Sequence, residues 1–201
     1  MPGKGHYFDP EPSVASRPRS VRLRLGEIDA ELQTDRGVFG FRGVDLGTMV
    51  LLREAPPPPP TGTILDLGCG YGPIAVWLAL RSPNSRVWAL DVNQRAIELA
   101  RSNAAAAGAA NVTACLPDEV PADLVFDAIY SNPPVRVGKL PLHELLLRWL
   151  GRLAPGGVAY LVVQRNLGSD SLAAWLGAQG FVVARLKSKK GYRVLEVRPR
   201  S

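Results

Sequence analysis

The sequence predicts an α/β protein. Its core would be a doubly wound, mostly parallel seven-stranded sheet with an antiparallel edge strand, preceded by a small N-terminal β-rich extension. Three observations carry that prediction. From Thr61 onward, short apolar runs alternate with helix-length segments, the order expected of successive strand–helix units. Glycines cluster directly after the first of these runs, at Gly68, Gly70 and Gly72, as they do where a strand turns sharply into a helix. Near the C-terminus two strand-like segments, 181–186 and 192–197, are joined by a link too short for a helical crossover, so they pair antiparallel at the sheet edge.

The elements follow in order. Residues 1–60 form the extension. Val21, Leu23 and Leu25 alternate with Arg22 and Arg24, the period-two pattern of a half-buried strand. Residues 27–32 supply its partner, with Gly26 at the turn, and 38–41 read as another short extended piece. A short helix over 49–54 must stop at the five prolines of 56–60, which form a stiff polyproline spacer. Residues 61–201 form the second domain. Its first strand is 63–67, and a helix runs from Pro73 to about residue 80. The second strand is 86–91. Asn93 caps an alanine-rich helix over 94–107 that Gly108 closes. Strands follow at 112–116 and 125–130. Leu142, Leu145, Leu146, Trp149, Leu150 and Leu153 lie on one helical stripe, ended by Pro155, Gly156 and Gly157. A strand over 158–164, a helix over 169–179 and the edge hairpin complete the chain.

A chain of 201 residues is long enough for one α/β domain with a sizeable core and a small addition. Its 46% hydrophobic and 21% charged residues are ordinary for a globular protein, and no apolar run reaches the length of a membrane span. The N-terminus lacks a signal-peptide core, which predicts a cytoplasmic protein. Cys69 and Cys115 alone make neither a disulfide framework nor a metal set, so reduced thiols and no metal are expected. The net charge of +6 is concentrated at the two ends: Arg17, Arg19, Arg22 and Arg24, then Arg185, Lys187, Lys189, Lys190, Arg193, Arg198 and Arg200. That distribution points to an anionic partner such as a nucleic acid.

Two loops carry chemistry: Asp66-Leu-Gly-Cys-Gly-Tyr-Gly72 and Ser131-Asn-Pro-Pro134. Both leave the carboxyl ends of strands expected at the centre of the sheet, and such loops line one crevice where ligands bind. Glycines at the first allow close backbone approach to a nucleoside ligand, and the following helix N-terminus favours an anion. Asp91, at the end of the next strand, suits the ribose hydroxyls. A relaxed dinucleotide fingerprint (Gly70, Gly72, Ala75) also fits, but Asp66 suits a ligand with a nearby ammonium group better. A nicotinamide-dependent reading would also give Asn132, Pro133 and Pro134 no role. The Asn132 side chain and the Pro133 carbonyl can accept both N–H bonds of a planar amine or amide. That orients a delocalised nitrogen lone pair and stabilises the positive charge developing on it. Pro133 and Pro134 stiffen the turn. His6 and His143 have no catalytic partners in the sequence.

These residues carry a resemblance. The chain is similar to class I S-adenosylmethionine-dependent methyltransferases, in particular the small-domain family of bacterial 16S rRNA guanine-N2 methyltransferases. The likeness runs through His6-Tyr-Phe8, Pro12-Ser-Val14, Gly37-Val-Phe39, Val44-Asp-Leu-Gly47, residues 64–74, Asp91-Val-Asn93, residues 131–139 and Lys190-Gly-Tyr-Arg-Val194. It implies a Rossmann-like fold, S-adenosylmethionine as cofactor and ribosomal RNA as partner. Asp66, Gly68, Gly70 and Gly72 would contact the methionyl part, Asp91 the ribose and Asp118 the adenine amine. Cys69, Val92, Asn93 and Asn132 complete the cofactor-binding set, and Asn132, Pro133 and Pro134 the catalytic one. Where many nucleic-acid members stack an aromatic residue on the flipped base, this chain has Val135, so Phe39 or Phe41 is the alternative stacker. Adenine amines, protein glutamine amides and small molecules remain alternative acceptors, and a non-catalytic RNA-binding assembly factor is the alternative of another class.

Overall fold

In the computed structural model, which describes residues 14–200, the apolar runs pair into one seven-stranded sheet with helices on both faces. The chain order is β1 (Arg19–Leu25), β2 (Ile28–Thr34), α1 (Leu46–Glu54), β3 (Thr61–Leu67), α2 (Pro73–Arg81), β4 (Asn84–Leu90), α3 (Gln94–Ala106), β5 (Val112–Cys115), β6 (Phe126–Ser131), α4 (Lys139–Leu150), β7 (Leu153–Gln164), α5 (Ser169–Ala178), β8 (Phe181–Lys189) and β9 (Tyr192–Pro199). The sheet order is β5-β4-β3-β6-β7-β9-β8; β9 runs antiparallel to β7 and β8, and the remaining pairs are parallel. The doubly wound α/β fold is therefore present, with a separate β1–β2 ribbon before it. No helix among the described residues is long and apolar enough to cross a membrane.

The central strands are buried on both faces, which is why β3 and β6 read as continuous apolar runs rather than alternating ones. Side chains one residue apart serve opposite cores: Ile64 packs with α1, α2 and α3, and Leu65 with α4 and α5. The first core continues under the ribbon through Leu23 and Leu32, both fully buried. Asn103 of α3 ties the ribbon to the site. Its amide accepts from Gln33 N (2.7 Å) and donates to the carbonyls of Gln33 and Tyr71 (2.8 Å each).

Several local expectations need correction. Residues 38–41 are turns, not an extended piece, because Gly37 and Gly40 adopt left-handed φ values of 83° and 80°. Helix α1 begins at Leu46, three residues earlier than the pattern suggests, because Asp45 caps it by accepting from Gly47 N (2.7 Å) and Thr48 N (3.2 Å). Leu153 belongs to β7 rather than to the α4 stripe. Gly151 closes the helix, and Pro155 to Gly157 form a bulge inside the strand, so Phe126 pairs with Leu153 while Ala128 pairs with Val158. Gly157 fits there because an added Cβ would stand 2.9 Å from the Phe126 carbonyl. The proline run lies against the sheet: Pro58 is buried, the Pro56 carbonyl accepts from the Tyr130 hydroxyl (3.0 Å), and the Pro59 carbonyl from the Ser85 hydroxyl (3.1 Å). His6 and the quoted strings before Val14 lie outside the described residues.

Candidate active site

The two loops singled out in the sequence leave neighbouring strands at the same level. Strands β3 and β6 pair in parallel with Leu67 opposite Ser131, and the Ser131 hydroxyl donates to the Leu67 carbonyl at 2.7 Å, pinning the two strand ends together. Between the loops opens a shallow cleft lined by Gly68, Cys69 and Ile74 from the glycine loop and the start of α2 and by Asn132, Asp45 and Thr48, with Phe39 and Tyr71 also in the lining.

The glycine loop is built for close approach. Gly68, Gly70 and Gly72 all have left-handed φ values (77°, 54° and 89°), and a Cβ on Gly72 would stand 3.2 Å from Ala100. The loop is drawn to the next strand by the N–H groups of Gly68 and Cys69, both donating to the Leu90 carbonyl at 2.8 Å. Asp91 fixes it from the other end: one oxygen accepts from Gly70 N (2.9 Å) and the other from Asn93 N (3.0 Å). A carboxylate has about four lone-pair sites, so Asp91 keeps acceptor capacity for further donors. Asp66 is fully buried; one oxygen accepts from Ala75 N (2.9 Å), and Oδ1 has no partner among the described residues. Burial raises the carboxyl pKa of both, that of Asp66 furthest, with the nearby Asp91 charge adding to it. An orphaned, desolvated acceptor beside a glycine cradle fits a ligand bearing both an ammonium group and a ribose. The first turn of α2 offers less to an anion than its position suggests. Pro73 lacks an N–H and Ala75 is taken by Asp66, so only the Ile74 N–H lacks a protein acceptor among the described residues.

The Asp66 arrangement has a measurable consequence. The fold favours the protonated carboxyl, so the stability tied to that proton is complete below the unfolded value of about 3.9 and is lost as pH rises through the raised folded value. Asp66→Asn removes this titration and keeps an acceptor for Ala75 N. The ligand-free variant should therefore melt no lower than wild type at neutral pH and vary less with pH. A melting temperature several degrees below wild type would contradict it.

The acceptor loop is held by contacts from the N-terminal segment. The Asn132 Nδ2 group donates to Asp45 Oδ2 (2.8 Å) and to Thr48 Oγ1 (3.1 Å). A carboxylate accepts only, so it must face the NH₂ side of the amide, and the Asn132 side-chain oxygen is left for the cleft. Pro134, at φ −76° and ψ 69°, makes an inverse γ-turn in which Val135 N donates to the Pro133 carbonyl at 2.8 Å, leaving that carbonyl one further lone pair. Asp45 and Thr48 are site residues that sequence reading missed; the Asp-x-x-Thr helix start was their only local signal.

The remaining candidates are dispersed. Cys69 is buried with its thiol pKa pushed up by desolvation, and Cys115 is pushed up to about 11 by the same cause, so both are free but unreactive thiols. Val92 is a half-buried bend residue between Asp91 and Asn93. Asn93 is engaged structurally, capping α3 through Arg95 N (3.0 Å) and donating to the Gly37 carbonyl (2.9 Å). Asp118 lies outside the cleft wall: its side chain is 96% exposed and pairs with Arg148 at 3.3 Å. His143 stacks on Trp175 with ring centroids 3.5 Å apart, a packing contact between α4 and α5.

The methyltransferase small domain family model matches residues 29–196. The uncharacterized protein YbxB of Bacillus subtilis (strain 168) is 34% identical over 196 residues, 96% of this chain and 98% of YbxB. The ribosomal RNA large subunit methyltransferase G of Pseudomonas syringae pv. syringae (strain B728a) is 32% identical over 170 residues, 81% of this chain and 46% of that enzyme. Among solved structures, the T. thermophilus 16S rRNA guanine-N2 methyltransferase RsmC, in complex with AdoMet and guanosine, is similar with a TM-score of 0.72. The identity is 25%, over 94% of this chain and 52% of that one. The chain spans about half the length of these two ribosomal RNA methyltransferases and nearly all of YbxB.

Proposed function

The chain belongs to the methyltransferase small-domain family and is an S-adenosylmethionine-dependent methyltransferase; we propose that its acceptor is the exocyclic N2 amine of a guanine in ribosomal RNA. The observation that carries this reading is the fixed orientation of the Asn132 amide, with Nδ2 held by Asp45 and Thr48 and the side-chain oxygen without a donor among the described residues, in the cleft that the glycine loop also lines. The guanosine bound to the similar T. thermophilus enzyme supports it.

When bound, S-adenosylmethionine supplies an electrophilic methyl group. The protein's part is positional and electrostatic. Gly68, Gly70 and Gly72 admit the cofactor's backbone-side approach, Asp66 accepts from its ammonium group and Asp91 from its ribose. The Asn132 side-chain oxygen and the free lone pair of the Pro133 carbonyl accept the two N–H bonds of the amine, turning its lone pair toward the methyl group. As positive charge grows on nitrogen, both dipoles are already aimed at it. Methyl transfer to ribosomal RNA from a strain lacking this protein, followed by nucleoside mass spectrometry, tests the reading. N2-methylguanosine is the expected product. A methylated adenine, or no RNA product with a methylated glutamine elsewhere, overturns the acceptor.

An RNA acceptor also requires a phosphate-binding surface, and the charge clusters differ in their fitness for it. Tyr192 of β9 pairs with Gln164 at the carboxyl end of β7, so the β8–β9 turn stands at the same edge of the sheet as the cleft. There Lys187 and Lys190 form no ion pair among the described residues, whereas Arg185 and Arg193 share Asp170. Arg22 and Arg24 share Asp29 on the ribbon, which packs over α2 and α3. Charge reversal of Lys187 and Lys190 should therefore flatten the salt dependence of RNA binding, by about one to two in the log–log slope. Reversal of Arg22 and Arg24 should change it less. Equal slopes for wild type and the Lys187/Lys190 double variant in a filter-binding titration would remove this rim from the interface.

A further inference from the structure

We propose that Phe39 is the stacking platform for the acceptor base, a specificity-determining residue that stands in for an aromatic side chain after the Asn-Pro-Pro turn. The inference rests on the reading above that the acceptor is a planar base. The acceptor loop has no ring to offer: Val135 is half-buried and packs toward α4 and α5. Phe41 is half-buried and does not line the cleft. Phe39 lines the same cleft as Asn132, it is 59% exposed, and among the described residues it is the only aromatic in the set of exposed large hydrophobic side chains.

That exposure is built into an anchored turn. Val38 is buried beneath it, and the carbonyls of Arg36 and Gly37 accept from Arg95 (2.7 Å) and from the Asn93 amide (2.9 Å) at the start of α3. On the other side Gly40 lies over the buried Tyr71 ring, where an added Cβ would come within 2.9 Å of it. The Phe39 main chain runs beside Gly70, whose Cβ would stand 3.6 Å from the Phe39 carbonyl. The turn is thus fixed to the cofactor loop on one flank and the α3 cap on the other, with its ring left open at the cleft mouth. An apolar ring held rigidly beside an acceptor for an exocyclic amine is the arrangement that receives an unstacked base, because the ring covers the base face while polar groups read its edge.

The test compares wild type, Phe39→Ala, Phe39→Leu and Phe39→Trp. Three measurements are needed: S-adenosylhomocysteine affinity by calorimetry, kcat/KM on unmodified ribosomal RNA, and tryptophan fluorescence of Phe39→Trp titrated with guanosine monophosphate and S-adenosylhomocysteine. Loss of a base–aromatic stack lowers affinity by about five- to 150-fold. Phe39→Ala should therefore lose kcat/KM within that range with cofactor affinity within twofold of wild type. Phe39→Leu, apolar but without a π face, should stay low. Phe39→Trp should restore activity, and guanosine monophosphate should quench its added fluorescence. Wild-type kcat/KM in Phe39→Ala, an equal loss of S-adenosylhomocysteine affinity, or rescue by Phe39→Leu each overturns the proposal; the second outcome would make the ring a cofactor wall. If wild type methylates no RNA, the acceptor reading fails by itself. The fluorescence titration still decides whether a base stacks on position 39: quenching supports the platform and its absence overturns it.

Discussion

Replacing Asn132 with alanine is expected to lower methyl transfer by about 10²–10³-fold, as loss of one preorganised polar contact does elsewhere. S-adenosylhomocysteine affinity and the melting temperature should change little. The amide oxygen acts on the amine as charge develops, so the loss should fall on kcat rather than on cofactor binding. Asn132→Asp is the sharper probe because of Asp45. In wild type the Nδ2 group donates to Asp45 Oδ2 at 2.8 Å; an aspartate there would set one carboxylate against another. Like charges at that range raise the pKa of one of them. The variant should therefore be weakly active at neutral pH and recover part of its activity as pH falls and a shared proton replaces the lost N–H donor. Single-turnover transfer from labelled cofactor to RNA lacking the modification would measure both. Wild-type turnover by Asn132→Ala, or a pH-independent Asn132→Asp, would return this loop to the role of a strand-ending turn.

The second large effect is expected at Asp91. Each charge-assisted hydrogen bond from a ribose hydroxyl is worth about 1.5–3 kcal/mol, so Asp91→Ala should weaken S-adenosylhomocysteine binding by at least about tenfold. The same carboxylate also ties Gly70 N and Asn93 N together, so part of any loss comes from a loosened loop. A cofactor analogue lacking the ribose hydroxyls separates the two contributions. If Asp91 contacts the ribose, wild type should discriminate against the deoxy analogue and Asp91→Ala should not. Equal discrimination by both proteins, measured by calorimetry, would confine Asp91 to its structural role.

Much of this was legible in the sequence because it depends on local rules. Strand and helix positions follow from the spacing of apolar side chains. The glycine turn follows from the left-handed conformations that Gly68, Gly70 and Gly72 alone tolerate cheaply. The adjacency of the two loops follows from the topology that parallel strands with helical crossovers impose. Where reading stopped short locally, a cap, a bulge or a pair of left-handed glycines at 37 and 40 was responsible. Asp45 starts α1 three residues early, and Pro155 to Gly157 bend a strand instead of ending a helix.

What only the tertiary structure decided were partnerships between residues far apart in the chain. Asp45 and Thr48 orient Asn132 across 87 and 84 residues, and no periodicity announces such a pair. Likewise, residue type does not reveal that Asp29 occupies Arg22 and Arg24 while Lys187 and Lys190 have no ion-pair partner among the described residues, or that Asp118 turns to Arg148. Nor does it reveal that Phe39 is left open while Phe41 is half-buried. A side chain's local pattern fixes the element it sits on and the face it occupies. Its hydrogen-bond partner and its exposure depend on which other segment the fold brings beside it, and in this chain the N-terminal segment decides how the acceptor loop is aimed.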